Sequence, residues 1–427
     1  MPATAPRLAV DGGEKVFPGP LPQWPAFAPE TDAAVLGILH SGRVNYWTGD
    51  AGRRFEEAWA QWLGVRNAVS VSSGTAALHV ALAALGIGSG DEVICTPYSF
   101  ISSASCVLEA GALPVFADTG TDHLLDPAKI EGAITPRTRA IVVVHLYGMV
   151  ADMDRIMEIA RRRGIAVVED CAQCVGGLHR GRKAGTVGDI GCFSFCQAKH
   201  FTTGGEGGMV CCNDDGLAWA CRSLRDHGCD ARLRFGEKRQ ANGGSKVAFE
   251  RIGYNFRLTE IQSAIGLGEL ARLDSWNLPR RRELAGMLMD GLSGHPLVRH
   301  APIDTEERRS SFWLVPFALD TGRFRDGIDI HQFVRAVQAE GAGAYGIYWP
   351  PMFREEVFAL SRGFGRRGYP FRDPAFDGGI DYAAANCPVA LALIDSTIGF
   401  WVHPTYGPEH ISAAIDAFDK VAAAYSA

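Results

Sequence analysis

Between about residue 65 and residue 215, short continuous runs of apolar and β-branched residues alternate with longer stretches whose apolar positions recur at helical spacing. The short runs predict strands at Ala68–Val71, Glu92–Thr96, Leu113–Ala117, Ala140–Val144, Ala166–Glu169, Ile190–Phe195 and Gly208–Cys212. The amphipathic stretches predict helices at Thr75–Leu85, Ser99–Ala110 and Met153–Arg163. Strands that are apolar throughout and separated by helices belong to a mostly parallel sheet covered on both faces, so the expected class is α/β. Ligands of such sheets collect beyond the carboxyl ends of the strands. Ser73-Gly74-Thr75, Pro97 to Phe100, Asp170 and Lys199 all fall there.

After residue 275 the pattern changes. A helix at Arg280–Leu292, strand-like residues Phe312–Leu319, a helix at Ile330–Glu340, a loop-rich stretch from Tyr345 to Asn386 and a final helix at Pro408–Tyr425 read as a smaller α+β unit. The expected division is an arm over 1–25, a large domain over 26–275 and a small domain over 276–427, within a chain of 427 residues.

Composition narrows the function classes. A hydrophobic fraction of 47% with 21% charged residues is that of a soluble globular protein. The net charge of −6 argues against nucleic acid as a partner, and the runs Arg161–Arg163 and Arg280–Arg282 read as solvated helix faces. No stretch has the pattern of a signal peptide or a membrane span, so the expectation is a cytoplasmic chain without a membrane partner. Of the eleven cysteines, most sit in apolar runs, where thiols behave as small hydrophobes. Cys171-Ala-Gln-Cys174 has no second pair at zinc-site spacing, and no metal is expected.

The candidate chemistry centres on Lys199, placed between an apolar strand and a glycine-rich turn, and Asp170 at the end of the preceding strand. An amine and a carboxylate on neighbouring strand ends are what pyridoxal 5'-phosphate requires, one as Schiff-base partner and the other to keep the pyridine nitrogen protonated. Taken alone, a lysine after a strand is most often a solvated rim residue. Around it, Ser73-Gly74-Thr75 forms a strand–turn–helix junction whose free amides suit a phosphate. Phe100 offers a ring for stacking or for core packing, Gln173 lies a helical turn past Asp170, and Ser194 offers a hydroxyl.

The motifs Ser72-Ser-Gly-Thr-Ala-Ala-Leu78, His145-Leu-Tyr-Gly148, Glu169-Asp-Cys-Ala-Gln173, Lys199-His-Phe-Thr-Thr-Gly204 and Gly253-Tyr-Asn-Phe-Arg257-Leu-Thr-Glu260 resemble the DegT/DnrJ/EryC1/StrS aminotransferases. The likeness is dense from about Gly49 to Leu270 and thin as far as Pro404 to Ile411. It implies the fold type I architecture of pyridoxal-phosphate enzymes. It also implies transfer of an amino group from L-glutamate or L-glutamine to a nucleotide-linked keto sugar or a keto cyclitol, in amino-sugar or antibiotic biosynthesis, with pyridoxamine 5'-phosphate as the intermediate cofactor form. By resemblance Lys199 is the Schiff-base lysine and proton shuttle, Asp170 pairs with the pyridine nitrogen, and Gln173 lies near the phenolic oxygen. Phe100 stacks on the ring, and Gly74, Thr75 and Ser194 hold the phosphate. Asn255 reaches the phosphate of a neighbouring subunit, implying a homodimer with shared sites. One departure is the pair Gly204-Gly205, where relatives carry a single glycine. Two alternatives stay open: a sugar dehydratase of the same fold, in which histidine replaces the lysine and for which His200 is adjacent, and a cofactor-binding regulator without catalysis. Tyr46, Trp47, Tyr348, Trp349 and His403 are candidate pocket residues.

Overall fold

The computed structural model describes residues 7–230, 249–376 and 379–426; the first six residues of the expected arm lie outside them. Each of the seven apolar runs forms a strand: β1 Asn67–Val71, β2 Glu92–Cys95, β3 Leu113–Phe116, β4 Thr138–Val144, β5 Ala166–Asp170, β6 Ile190–Ser194 and β7 Gly208–Cys212. They make one sheet in the order β1-β7-β6-β5-β4-β2-β3. All neighbours are parallel except β7, which runs antiparallel to both β1 and β6. Val142, Val143, Val167 and Val168 are wholly buried, as strands covered on both faces require. Parallel register sets Asp170 at the end of β5 opposite Cys192, two residues before Ser194 on β6.

The helix Gly74–Ala84 follows β1 directly, and Ser73 caps it by accepting the Ala76 amide at 3.1 Å. The helix expected from Ser99 begins instead at Ser102, behind Ile101, which gives no side-chain cap. Phe100 therefore lies in the turn before it. Helix Met153–Arg163 has the expected bounds, with Asp152 as its cap.

A second, antiparallel sheet is ordered Val298–His300, Leu314–Leu319, Thr397–Trp401, Ala344–Gly346. Leu284, Phe333 and Phe418, from helices Leu278–Leu292, Ile330–Ala339 and Pro408–Tyr425, share its apolar cluster. Leu8 joins the same cluster, and the buried Glu340 accepts the amides of Ala9 and Val16 at 2.8 and 3.2 Å. Ile347, Met352, Phe358, Tyr382 and Leu393 pack instead against the large sheet. The two sheets meet where Tyr147 and Gly148 turn with φ of 59° and 92°. Their carbonyls accept the amides of Trp313 and Ser311, each at 2.8 Å, and a Cβ at Gly148 would lie 2.5 Å from the Phe312 nitrogen. Only glycine allows that approach. No helix among the described residues is long and apolar enough to cross a membrane.

Candidate active site

A cavity of about 400 Å³ opens at the carboxyl ends of the central strands, lined by Gly74, Thr75, Phe100, Asp170, Gln173, Ser194 and Lys199 among others. Seven of the eight residues singled out from the sequence thus share one cavity. Asn255, the eighth, is exposed and pairs through its backbone with Asp226, away from this lining.

Asp170 forms the floor. Its carboxylate accepts the Ser103 hydroxyl at 2.8 Å and the Ala172 amide at 3.1 Å. Burial raises its pKa above the ordinary 3.8, against the pull of those two donors and of the Lys199 charge. Gln173 is oriented by the Tyr147 amide, which donates to its Oε1 at 3.0 Å, leaving the side-chain NH2 free to donate into the cavity. At the opposite wall, a Cβ on Gly74 would lie 2.6 Å from the Ser194 Cβ. The absence of that carbon lets the helix start sit against the Ser194 hydroxyl. The amides of Gly74 and Thr75 have no acceptor among the described residues, as first-turn amides of a helix do not. Phe100 is 58% exposed and lines the cavity.

Lys199 is half-buried, and its Nζ lies 4.1 Å from the centre of the Trp313 ring. Burial pushes its pKa down to about 8 from the ordinary 10.5, while Asp170 and Cys196 pull it upward. At neutral pH most of the amine is therefore still the ammonium, with roughly a tenth of it neutral. His200, by contrast, is wholly buried outside the cavity lining, and burial with the nearby Arg281 and Lys199 charges holds its imidazole neutral.

Several residues that complete the arrangement were given no role from the sequence. Ser103 reaches Asp170 from the helix after β2. Glu169 is fully buried and accepts the amides of Gly185, Val187 and Gly188 at 2.8, 2.7 and 2.6 Å, and the His145 Nε2–H at 2.9 Å. His145 Nδ1 accepts the Ala151 amide at 3.1 Å, which fixes the proton on Nε2. His145, Glu169 and Cys171 bring donor atoms within 4.8 Å of one another, yet the lone pairs of the first two are already used by N–H groups. Of the aromatic pocket candidates, Trp349 lines the cavity and the others do not. Tyr46 is buried, donates to Glu56 at 3.0 Å and lies under Arg225. Trp47 packs edge-on against it, Tyr348 stacks on His331, and His403 stacks on Trp401. In the glycine pair, Gly204 would bring a Cβ against Ile265, whereas Gly205 faces open space.

The sheet order and the likeness to solved aminotransferases make this an aminotransferase of fold type I, the architecture of pyridoxal-phosphate enzymes. The chain belongs to the DegT/DnrJ/EryC1/StrS aminotransferase family, whose sequence profile matches residues 25–370. It is 39% identical over 402 residues, 90% of each chain, to the L-glutamine:2-deoxy-scyllo-inosose aminotransferase of Micromonospora echinospora. It is 35% identical over 393 residues, 90% of this chain and 93% of the other, to the UDP-N-acetyl-3-dehydro-alpha-D-glucosamine 3-aminotransferase of Acidithiobacillus ferrooxidans. The crystal structure of an aminotransferase from Psychrobacter cryohalolentis superposes with a TM-score of 0.85 at 33% identity, covering 94% of this chain and 98% of that one.

Proposed function

We propose that the chain binds pyridoxal 5'-phosphate in this cavity and moves an amino group from L-glutamine or L-glutamate to the ketone of a cyclitol or sugar. The observation that carries the reading is the convergence of Lys199, Asp170 and the free Gly74 and Thr75 amides on one cavity. The residues fit the cofactor: two unpartnered amides and a hydroxyl for the phosphate, a carboxylate for the ring nitrogen, and an uncovered phenyl face for the ring.

When bound, the cofactor supplies an electron sink for the carbon that loses its proton. Asp170, steadied by Ser103 and Ala172, would hold a negative charge against the ring nitrogen. Gln173 would offer its NH2 to the phenolic oxygen, and Phe100 would offer a ring face for stacking. With the cofactor held there, Lys199 would be the proton carrier, taking the proton from the donor's Cα as a neutral amine and returning a proton in the second half of the transfer. Asn255 acts across a homodimer interface on the partner's phosphate, in keeping with its exposure and its absence from the lining of its own cavity.

Among the described residues that line the cavity, Lys199 is the one cation, whereas Asp170 and Glu206 are both acidic. A diphosphate-linked sugar would bring further negative charge to this wall, so an uncharged keto cyclitol is the favoured acceptor. A nucleotide-linked keto sugar is the second reading, supported by the 35% identical relative. The test converts the loaded enzyme to its amino form with glutamine, then offers keto cyclitols and nucleotide keto sugars in parallel. Recovery of the starting absorbance with the cyclitol alone supports the first reading. Recovery with the nucleotide sugar alone supports the second, and recovery with neither refutes both.

A further inference from the structure

Residues 197–201 form a turn, so their carbonyls have no ladder or helix partners. Three successive carbonyls of that turn are nonetheless taken, each by a side chain from a distant part of the chain. Trp313 Nε1 donates to the Ala198 oxygen at 2.5 Å, Trp24 Nε1 to the Lys199 oxygen at 2.9 Å, and Asn277 Nδ2 to the His200 oxygen at 2.6 Å. The Lys199 amide itself donates to the Cys196 oxygen at 3.0 Å.

Each donor is in turn fixed. Trp24 stacks on His403 at 5.9 Å and lies under the Arg281 guanidinium at 5.2 Å. Asn277 accepts from Arg281 Nε at 2.8 Å through its own oxygen. Trp313 packs edge-on against Trp401 at 5.1 Å and parallel to Tyr147 at 6.4 Å, and its amide is held by the Tyr147 carbonyl. The lysine turn is therefore anchored to the N-terminal segment, to the start of helix Leu278–Leu292 and to the second sheet. None of these anchors touches the reacting atoms through its hydrogen bond. Trp313 alone has a second role, since its ring face lies beneath the Lys199 Nζ.

We propose that Trp24, Asn277 and Trp313 are positioning residues that fix the Lys199 backbone, and that the Trp313 face is the resting place of the Lys199 ammonium while it is not bonded to cofactor. The proposal rests on Lys199 being the reactive amine. The indole face attracts the ammonium through its quadrupole and, with the Asp170 charge, opposes the burial that favours the neutral amine. The buried His200 beside it is neutral and adds no competing charge.

The test uses the full chain without cofactor. Trace acylation across pH, read on the Lys199 peptide by mass spectrometry, reports the titration of the amine. Hydrogen exchange over residues 197–203 reports the turn. In Trp313→Leu the acylation midpoint should fall by about half to one and a half pH units relative to wild type. In Trp24→Phe and Trp313→Phe, which keep a ring but lose the N–H, exchange over the turn should rise about two- to tenfold with the thermal midpoint little changed. An unmoved midpoint in folded Trp313→Leu would overturn the resting place. Unmoved exchange in both phenylalanine variants would overturn the anchoring, whether or not Trp313→Leu folds. A chain whose Lys199 serves no transfer would still show both effects, so failure of the proposed function would be read separately, in the loaded enzyme.

Discussion

Replacing Glu169 by glutamine changes one buried atom and should nonetheless unfold much of the site's support. One carboxylate oxygen accepts the amides of Val187 and Gly188, and the other accepts Gly185 and the His145 Nε2–H. These bonds hold the Glu169 carboxyl below the ordinary 4.5 despite complete burial, so the group is ionised in the folded chain at neutral pH. Glutamine keeps one acceptor oxygen and turns an NH2 group on the other pair of donors. Two buried N–H groups are then orphaned, at about 1–3 kcal/mol each, which totals about 2–6 kcal/mol. Native domains have only about 5–15 kcal/mol in hand. Because the Glu169 pKa is depressed on folding, its contribution is present above the unfolded pKa and is lost as pH falls through the folded one. Urea unfolding at pH 7 and pH 3 should therefore show a large gap between wild type and Glu169→Gln at pH 7 and a smaller gap at pH 3. A loss below about 1 kcal/mol at pH 7 would refute the reasoning, because orphaned buried donors cost more than that.

Gly74→Ala should weaken cofactor binding at least about tenfold in a fluorescence titration and cost about 1–3 kcal/mol of stability, because its Cβ would overlap Ser194. Wild-type affinity would remove the phosphate cradle from that junction. Ser103→Ala takes a donor from the buried Asp170 and should lower stability by about 1–3 kcal/mol at pH 7. Asp170 has a raised folded pKa, so lowering the pH protonates it and relieves that cost; the loss in urea melts should shrink toward pH 4. Lys199→Ala should retain cofactor but lose about 10²–10⁴-fold in single-turnover transfer rate, and an unchanged rate would exclude Lys199 as the proton carrier.

The sheet was legible because its strands are buried on both faces and so are apolar without interruption; every one of the seven runs became a strand, with ends shifted by a few residues. Lys199, Asp170 and the Ser73 to Thr75 junction were legible because strand ends and helix starts are local features. What escaped was long-range. Glu169 breaks the polarity pattern of β5, yet its partners come from a loop 16 to 19 residues away and from β4's end. Trp24 and Trp313 reach the lysine turn across 175 and 115 residues, and nothing in the spacing of tryptophans encodes that. Tyr46, a candidate pocket residue in the sequence, is instead a packing residue that pairs with Glu56 beneath Arg225 inside the core. The loop-rich stretch after Tyr345 carried no sign that Phe358 and Tyr382 would pack on the large sheet.

The central claim is that Lys199 is the amine that engages the cofactor and releases it to the donor. Borohydride reduction of the chain loaded with pyridoxal 5'-phosphate, followed by peptide mass spectrometry, tests this most directly. The account predicts a cofactor-sized mass gain on the peptide carrying Lys199, abolished when glutamine or glutamate is added before reduction. A mass gain on any other lysine, or one on Lys199 that the amino donor leaves intact, would contradict it.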